Sequence, residues 1–488
     1  MGRSFVLGPA LLMFAAALAD EAIVRVDLGQ AERRMAGGIG ASWHAIRKDL
    51  PGPRGSAWGA NPPLDNAAAW QQLQHHAAWL GLDWLRVELD QRMYEPEAGQ
   101  FDWDNEEMRT LYRILDWAET QRADVFLQQM WNHVAWNAIA GVDPLRSAPK
   151  SMAAFADGLA TLADHLLNTR RYTCIKWLCI NNEPGHEWSW WQGKDGPVPI
   201  TEGLAVARAA FDHRGITLPL SGPDWTDLPA LNPRQIDFDR FVGAYDLHSY
   251  QGMDATRQQV AAEWAKWAHD RGKPFFLSEI GDMRVGWQGS HPGPSSFKAA
   301  LSVAETVVRG LAAGVDAFSR YSFVNRGDLD GQWQLVRTWD PEKKRHLKEV
   351  AIEPAAYYGF AILTRFAAKH SEVLKTEVRS PARRRQPPGI LAAALRSPKG
   401  QLTLWLVNPT DAEHKAAVEL SAVAAPIKLF RYQLTEAAVR GAAFKLAPSK
   451  ELALSQDAPT FAETLPPHSI TAVTTWPLAP ADPGAIAE

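Results

Sequence analysis

The sequence predicts an α/β protein, a (β/α)8 TIM barrel followed by a C-terminal antiparallel β-sandwich domain. Two observations carry this prediction. Between residues 36 and 369, short apolar segments alternate with longer segments of helical periodicity. Beyond residue 370, short alternating strands follow one another without intervening helical segments.

The predicted barrel strands are short apolar segments at 38–44, 84–90, 124–131, 175–182, 217–221, 245–250, 274–280 and 315–323. Helical patterns lie at 65–80, 104–122, 151–168, 201–214, 255–271, 295–313 and 353–369. Several of these begin with Asp, Ser or Thr, which are suitable N-caps. A doubly wound open sheet is the alternative, but no glycine-rich phosphate-binding turn follows the first strand.

The second predicted domain follows a Pro-rich connector at 380–389, with strands at 390–395, 401–407, 416–420, 427–432 and 469–476. An early strand at 22–28 has no helical crossover, so we expect it to pair into the same sheet. The predicted domains are therefore a barrel at 36–369 and a β-sandwich formed by 20–35 and 385–488.

The first 19 residues resemble a secretory signal peptide. A short basic start precedes an apolar run from Phe5 to Leu18, and Ala17-Leu18-Ala19 is a small-x-small cleavage site. This pattern predicts removal after Ala19 and a secreted or periplasmic protein, with an N-terminal anchor or a buried helix as the alternatives. No later apolar run is long enough to span a membrane.

Composition excludes a nucleic-acid partner, because the net charge is −4 and no basic stripe interleaved with aromatic residues is present. The chain has 21 Trp against 9 Tyr. Many of these pack in cores, but sugar-binding clefts also favour flat apolar faces with a polar edge.

Two predicted strands end in a glutamate. The fourth ends in Asn182-Glu183-Pro184, where the proline stops the strand, and the seventh ends in Ser278-Glu279. The fourth and seventh strands face each other across a barrel mouth, where catalytic groups lie. Two carboxylates about 5–5.5 Å apart are the machinery of a retaining glycosidase.

The neighbouring strand ends supply polar partners for these glutamates. Arg86 on the second strand brings a cation that would hold a nearby carboxylate ionised. His248 and Tyr250 alternate on the sixth strand and share one face, so the Tyr250 hydroxyl can orient a nucleophile. Asn182 can bind a sugar hydroxyl beside the reacting carbon.

Aromatic residues are predicted to wall the sugar subsites. Trp131 and His133 end the third strand, and Trp333 follows the eighth. The loop after the fourth strand adds Trp188, with a hydrophobic minicore as its alternative role. Glu187 in the same loop is a rival for the acid, on a less constrained backbone than Glu183.

These strand-end motifs, Asn182-Glu183-Pro184, Ser278-Glu279-Ile280-Gly281, Arg86 and His248-x-Tyr250, resemble those of clan A glycoside hydrolases, and most of all those of glycoside hydrolase family 5. The C-terminal sandwich resembles that of families 30, 39 and 51. The resemblance implies that Glu183 is the acid/base and Glu279 the nucleophile. It also implies that Asn182 binds the sugar 2-hydroxyl and that Tyr250 orients the nucleophile.

His133 departs from the family pattern, since the histidine of family 5 usually stands earlier, and Trp333 lies well past the eighth strand. The expected function is a retaining β-glycoside hydrolase acting on β-linked oligo- or polysaccharides, with a carbohydrate substrate, no cofactor and no metal. A non-catalytic carbohydrate-binding barrel and a transglycosylase using the same glutamates are the alternatives.

Overall fold

The computed structural model describes residues 21–45, 59–130, 134–185, 191–285, 295–324, 333–340, 342–380, 389–441 and 444–477. The described residues form two compact units, one drawn from 1–34 and 371–479 and the other from 35–370. The predicted fold class is confirmed, since one unit is a closed parallel barrel and the other is a largely antiparallel, sandwich-like sheet. Strands are numbered along the chain, and β1 is Ala22–Arg34.

The barrel unit is built from eight parallel strands, and the last of them closes on the first. They are β2 Ile39–His44, β3 Trp84–Leu89, β4 Asp124–Gln129, β5 Ile175–Cys179, β6 Leu220–Trp225, β7 Ala244–Ser249, β8 Phe275–Ile280 and β9 Ala317–Arg320. A hairpin of β10 Val336–Asp340 and β11 Arg345–Ile352, which was not predicted, follows the last barrel strand.

Seven longer helices accompany the barrel strands: α1 Ala67–Leu80, α2 Glu106–Gln121, α3 Met152–Asp164, α4 Ile200–His213, α5 Ala255–His269, α6 Phe297–Ala313 and α7 Pro354–Thr364. Five of them begin behind a side chain that accepts a first-turn amide hydrogen, namely Asn66, Asn105, Ser151, Asp254 and Ser296. These caps satisfy N–H groups that have no partner within the helix.

The barrel interior changes from apolar to polar along the strands. One apolar cluster contains Trp84, Phe126, Cys179, Ala244, Phe276 and Ala317, all near strand starts except Cys179. Four of these strands carry a buried polar side chain two residues after the apolar one, namely Arg86, Gln128, Asp246 and Ser278. Because side chains alternate with a period of two, the same strands supply both layers. The polar layer lies toward the C-terminal ends of the strands.

Three predicted barrel strand ends differ from the structure by three or more residues, and one of them is that of β9, which ends at Arg320 rather than at residue 323. β5 stops at Cys179 rather than at residue 182, because the chain bends away and Glu183 adopts a left-handed φ of 46°. β6 runs on to Trp225 through Pro223, where the sequence indicated an end at residue 221. β5 pairs with β6 only at Leu220 and Ser221, so Pro223 removes no hydrogen bond to β5.

The second unit contains β12 Glu372–Arg379, β13 Leu391–Arg396, β14 Leu402–Asn408, β15 His414–Ser421, β16 Ile427–Leu434, β17 Lys450–Leu454, β18 Thr460–Leu465 and β19 Ser469–Thr474. With β1 they form a nine-stranded sheet in the order β17-β16-β19-β14-β13-β12-β1-β15-β18. β1 is antiparallel to β12 but parallel to β15. β12, β17 and β18 were not predicted.

One hydrophobic core of this unit draws on strands from across the sheet. Strands that are not neighbours in the sheet order contribute to it, as Leu404 on β14, Leu465 on β18 and Val24 on β1 show. The sheet therefore curls over its own apolar face, which is the sandwich-like arrangement. Within the described part of the chain, no helix is long and apolar enough to cross a membrane.

Candidate active site

Glu183 is held by the backbone at the carboxyl end of β5. The Asn182 N–H donates to the carbonyl oxygen of Met130 at 3.2 Å, which ties the bend to the end of β4. The Glu183 N–H donates to Oδ2 of Asp224 at 3.3 Å. A left-handed φ is uncommon for a residue with a side chain and persists only where the surroundings fix it. Glu183 is therefore a rigidly placed carboxyl.

Glu279 reaches the barrel interior through an irregularity in β8. In the ladder between β7 and β8, Leu247 pairs with Leu277, but His248 pairs with Glu279. Ser278 is thus an extra residue on β8, as in a β-bulge. Strict alternation would place Ser278 inside and Glu279 outside. A bulge re-aims the next side chain, and here it brings Glu279 to the same end of the barrel as Glu183.

The two glutamates are close neighbours at the C-terminal mouth. One carboxylate oxygen of each, together with a ring nitrogen of His248, lie within 4.8 Å of one another. The exposed fraction is 7% for Glu183 and 4% for Glu279. The site therefore holds two nearly buried carboxyl groups at a spacing that suits a shared reacting atom.

Glu279 has a hydrogen-bond donor on each oxygen. The Arg86 Nη1 donates to Oε1, and the Tyr250 hydroxyl donates to Oε2. Burial raises the pKa of Glu279, while the charges of Arg86 and His248 act to lower it. Arg86 thus acts in the predicted direction, but burial outweighs it and the net shift of the pKa is upward.

Arg86 joins the nucleophile candidate to the sugar-binding candidate. It is fully buried, and its Nη1 also donates to Glu88 while Nη2 donates to Oδ1 of Asn182 at 2.8 Å. Although burial opposes it, Glu279 and Glu88 raise the pKa of Arg86, so the guanidinium stays charged. Because Oδ1 of Asn182 is engaged, its Nδ2 is the group left to meet a ligand.

His248 lies between carboxylates on both sides. Its Nδ1 is 2.6 Å from Oε1 of Glu183 and 3.4 Å from Oε2 of Glu279, and its Nε2 is 3.0 Å from Oδ1 of Asp224. Burial alone would lower the pKa of His248, but Asp224, Glu279 and Glu183 together raise it well above its usual value. His248 is fully buried and lies beside both glutamates.

Asp224 belongs to this site and was missed by the sequence reasoning. In the ladder between β6 and β7, Pro223 pairs with Asp246 and Trp225 with Leu247, so Asp224 is a bulged residue. Its φ is 57°, again left-handed. The Gly-Pro before it indicated the end of a strand, which hid it. A carboxyl three residues beyond the end of a predicted barrel strand was the signal that could have revealed it.

Aromatic side chains pack beside the nucleophile candidate. The ring of Trp333 is 6.0 Å from that of Tyr250 and 6.3 Å from that of Tyr321. The structure thus brings Trp333 to the site, although its exposed fraction is only 3%. Tyr321, directly after β9, was not predicted, and its hydroxyl is 2.9 Å from Nε2 of His44. Trp131, His133, Trp188 and Glu187 lie outside the described residues.

Two groups of possible metal ligands occur among the described residues. One is Glu183, His248 and Glu279, and the other is Cys179, Asp224 and Asp246. In the first group the ring of His248 already bridges to the carboxylates, as expected for a proton-transfer site. In the second, burial and then the neighbouring Asp224 raise the pKa of Asp246 well above its usual value, which weakens it as a metal ligand.

The closed parallel barrel, with glutamates at the ends of its fourth and seventh strands, defines a clan A glycoside hydrolase. The family model described as Cellulase (glycosyl hydrolase family 5) matches residues 43–300, just over half of the chain. The chain belongs to glycosyl hydrolase family 5. No curated protein matches it.

Solved structures with the same fold span both units. A GH30 endoxylanase from Clostridium papyrosolvens C71 has a TM-score of 0.63 at 12% identity, covering 93% of this chain and 99% of that one. SrfJ from Salmonella typhimurium has a TM-score of 0.64 at 12% identity, with coverages of 94% and 93%. A GH39 β-xylosidase from Caulobacter crescentus has a TM-score of 0.58 at 14% identity, with coverages of 93% and 99%. At these identities the likeness is one of fold.

Proposed function

We propose that this protein is a retaining β-glycoside hydrolase that acts on β-linked oligo- or polysaccharides by double displacement. The observation that carries the proposal is the approach of the Glu183 and Glu279 carboxylate oxygens to within 4.8 Å. Retaining enzymes hold their carboxyl groups about 5–5.5 Å apart, whereas inverting enzymes need about 6.5–9.5 Å to admit a water molecule.

The contacts of the two carboxyls support different roles. Glu279 receives hydrogen bonds from Arg86 and Tyr250, which favour its ionised form and fix its angle of attack. Glu183 sits on the bend after β5 and has His248 as its hydrogen-bond partner. We therefore assign Glu279 as the nucleophile and Glu183 as the acid/base.

In the first step, a Glu279 oxygen bonds to the anomeric carbon as the glycosidic bond breaks, and Glu183 gives its proton to the departing oxygen. In the second, Glu183 takes a proton from water, the water oxygen bonds to the same carbon, and Glu279 leaves. Asn182 binds the 2-hydroxyl through its Nδ2. Trp333 and, in the loop after β5, Trp188 are proposed to wall the sugar subsites, with Trp131 and His133 beyond β4.

The test uses Glu279→Ala, Glu183→Ala and Glu187→Ala on a panel of aryl β-glycosides. We expect both active-site variants to lose at least about 10²-fold in kcat/KM. Azide should restore turnover to each variant, with an inverted glycosyl azide from Glu279→Ala and a retained one from Glu183→Ala. Glu187→Ala is the matched control, and it should remain active with unchanged stereochemistry.

Each outcome decides between functions. Normal turnover in both active-site variants would refute the proposal, and loss only in Glu187→Ala would move the acid role to that residue. Sugar binding without product release by the wild-type protein would indicate a binding barrel. Transfer to added sugar acceptors in preference to water would indicate a transglycosylase.

We further propose that residues 1–19 are a signal peptide removed on export to a secreted or periplasmic location. The domains on this proposal are 36–369 for catalysis and 20–35 with 385–488 for the sandwich. N-terminal sequencing of protein recovered outside the cytoplasm tests the cleavage. A first residue at Asp20 is expected, and an intact Met1 would contradict it.

A further inference from the structure

We propose that Asp224 is a positioning residue for the acid/base: it holds Glu183 at two points, through the main chain and through His248. The inference rests on the proposed function, since it assigns a support to the acid/base named there. Sequence reasoning gave Asp224 no role, and it touches neither the reacting carbon nor the leaving oxygen in this scheme.

The two oxygens of Asp224 have separate partners. Oδ2 accepts the Glu183 N–H at 3.3 Å, and Oδ1 accepts from Nε2 of His248 at 3.0 Å. The far side of the same ring presents Nδ1 to Oε1 of Glu183 at 2.6 Å. A single carboxylate thus fixes both the backbone and, across the imidazole, the side chain of Glu183.

The geometry also favours a doubly protonated His248. Both ring nitrogens face carboxylate oxygens, and a neutral imidazole has only one N–H to donate. The doubly protonated ring donates to both. The titratable and charged groups that face it are Asp224 from β6, Glu183 after β5, and Glu279 from β8, with the Tyr250 ring 6.3 Å away on its own strand. A cation beside Glu183 stabilises the carboxylate left when the proton departs.

Asp224 is itself firmly held. Its N–H donates to Oδ1 of Asp246 at 3.1 Å, and the Ser278 hydroxyl donates to Oδ1 at 3.2 Å. Nη2 of Arg86 lies 3.7 Å from Oδ2. Asp224 is fully buried in a bulge with a left-handed backbone. Such a conformation persists only where its surroundings maintain it. A residue held in this way is suited to position Glu183.

The test is Asp224→Asn, assayed on glycosides with a poor leaving group (phenyl) and a good one (dinitrophenyl). In asparagine an NH2 group, which only donates, replaces one of the two carboxylate oxygens, so the contact with either His248 or the Glu183 N–H is lost. For phenyl glycosides, which need protonation to leave, we expect a loss of roughly 10²-fold in kcat/KM. For dinitrophenyl glycosides, which leave unaided, the loss should stay below about 10-fold.

The matched control is Asp246→Asn, an equally buried change on the next strand. Burial and the neighbouring Asp224 raise the pKa of the Asp246 carboxyl, which favours its neutral form, and an amide is also neutral and keeps the oxygen that accepts the Asp224 N–H. Its two leaving-group profiles should match those of the wild-type protein. Equal losses on both glycosides in Asp224→Asn, or no loss, would overturn the inference.

A second measurement is made on the wild-type protein, without Asp224→Asn. With ¹⁵N-labelled histidine, the wild-type protein should show both nitrogens of His248 protonated at neutral pH, whereas a neutral ring would overturn the inference. His248→Gln serves to assign that signal. If Glu183→Ala keeps full activity, the proposed function fails. If Glu183→Ala is inactive while Asp224→Asn is normal, only the positioning role fails.

Discussion

The guanidinium of Arg86 on β3 donates a hydrogen bond from Nη1 to Oε1 of Glu279 on β8. The pair is buried, and the cation partly offsets the cost of placing the carboxylate out of water. The ionisation of the proposed nucleophile therefore depends in part on Arg86, and this has a measurable consequence for the pH dependence of catalysis.

We predict that the acid limb of kcat/KM lies above pH 4.5, the ordinary pKa of a glutamate, because burial raises the pKa of Glu279. Glu279 must be ionised to attack, so activity falls as the pH drops through that raised pKa. Arg86→Gln removes the lowering charge and should move the limb further upward, while Arg86→Lys, which keeps a charge, should move it less. Rates measured from pH 4 to 8 check this, and an unmoved limb in Arg86→Gln would contradict it.

Tyr250→Phe should lower kcat roughly 10- to 100-fold, because a hydrogen bond to a charged group is worth about 1.5–3 kcal/mol. The lost hydroxyl donates to Oε2 of Glu279. Tyr245→Phe on the same strand is the control, since its hydroxyl bonds to Asp239 instead. Steady-state kinetics of both variants decide the point, and equal losses would show that the Tyr250 effect is structural.

Asn182→Ala should reduce kcat/KM for ordinary glycosides but have little effect on 2-deoxyglycosides. Oδ1 of Asn182 is bound by Arg86, which directs Nδ2 to the sugar 2-hydroxyl in the proposed mechanism. Contacts to this hydroxyl strengthen in the transition state, so several kcal/mol are at stake. Measuring kcat/KM of the wild-type protein and of Asn182→Ala on both kinds of glycoside isolates the contact between Asn182 and the 2-hydroxyl. If the variant loses the same factor on both substrates, Asn182 does not bind the 2-hydroxyl.

Asp83→Asn should stabilise the protein at pH 8 more than at pH 5. Burial raises the pKa of Asp83 from 3.8 to about 7, despite the Lys369 N–H at 2.6 Å. A raised carboxyl pKa means that the folded state loses stability as pH rises from about 4 to about 7. Asparagine at this position does not ionise, so Asp83→Asn does not lose stability in this way as the pH rises.

Asp124→Asn is the opposing control for Asp83→Asn. Although burial opposes it, His370 and Lys369 lower the pKa of Asp124, so its charge stabilises the fold at both pH values. Urea unfolding of the three proteins at pH 5 and 8 measures the effects. The prediction fails if Asp83→Asn differs from wild type by the same free energy at both pH values.

Much of the barrel was predictable because its signals are local. Apolar segments of strand length and the helical period gave the eight strands, and Pro184 correctly indicated that the chain leaves the sheet near Glu183. Both glutamates were found as the polar residues at two strand ends. The structure places them together, as the strand count predicted.

What escaped prediction depends on pairing between strands. The bulge at Ser278 that turns Glu279 inward is visible only in the registers of β8 with its neighbours β7 and β9. The bulge at Asp224 exists only between β6 and β7, behind a Gly-Pro pair that locally favours a turn. Tyr321 likewise joins the site by packing against Trp333 across a gap in sequence. Such contacts cannot be seen in a short stretch of sequence, because they depend on which strands become neighbours.

The position of β1 has a consequence for the architecture of the chain. β1 and β12 are antiparallel neighbours, and Arg34 at the end of β1 pairs with Glu372 at the start of β12. The two strands therefore form a β-hairpin whose loop is the whole barrel. In chain order, the barrel unit is an insertion between two paired strands of the sheet unit, and joining residue 34 to residue 371 by a short turn should give the sheet unit alone.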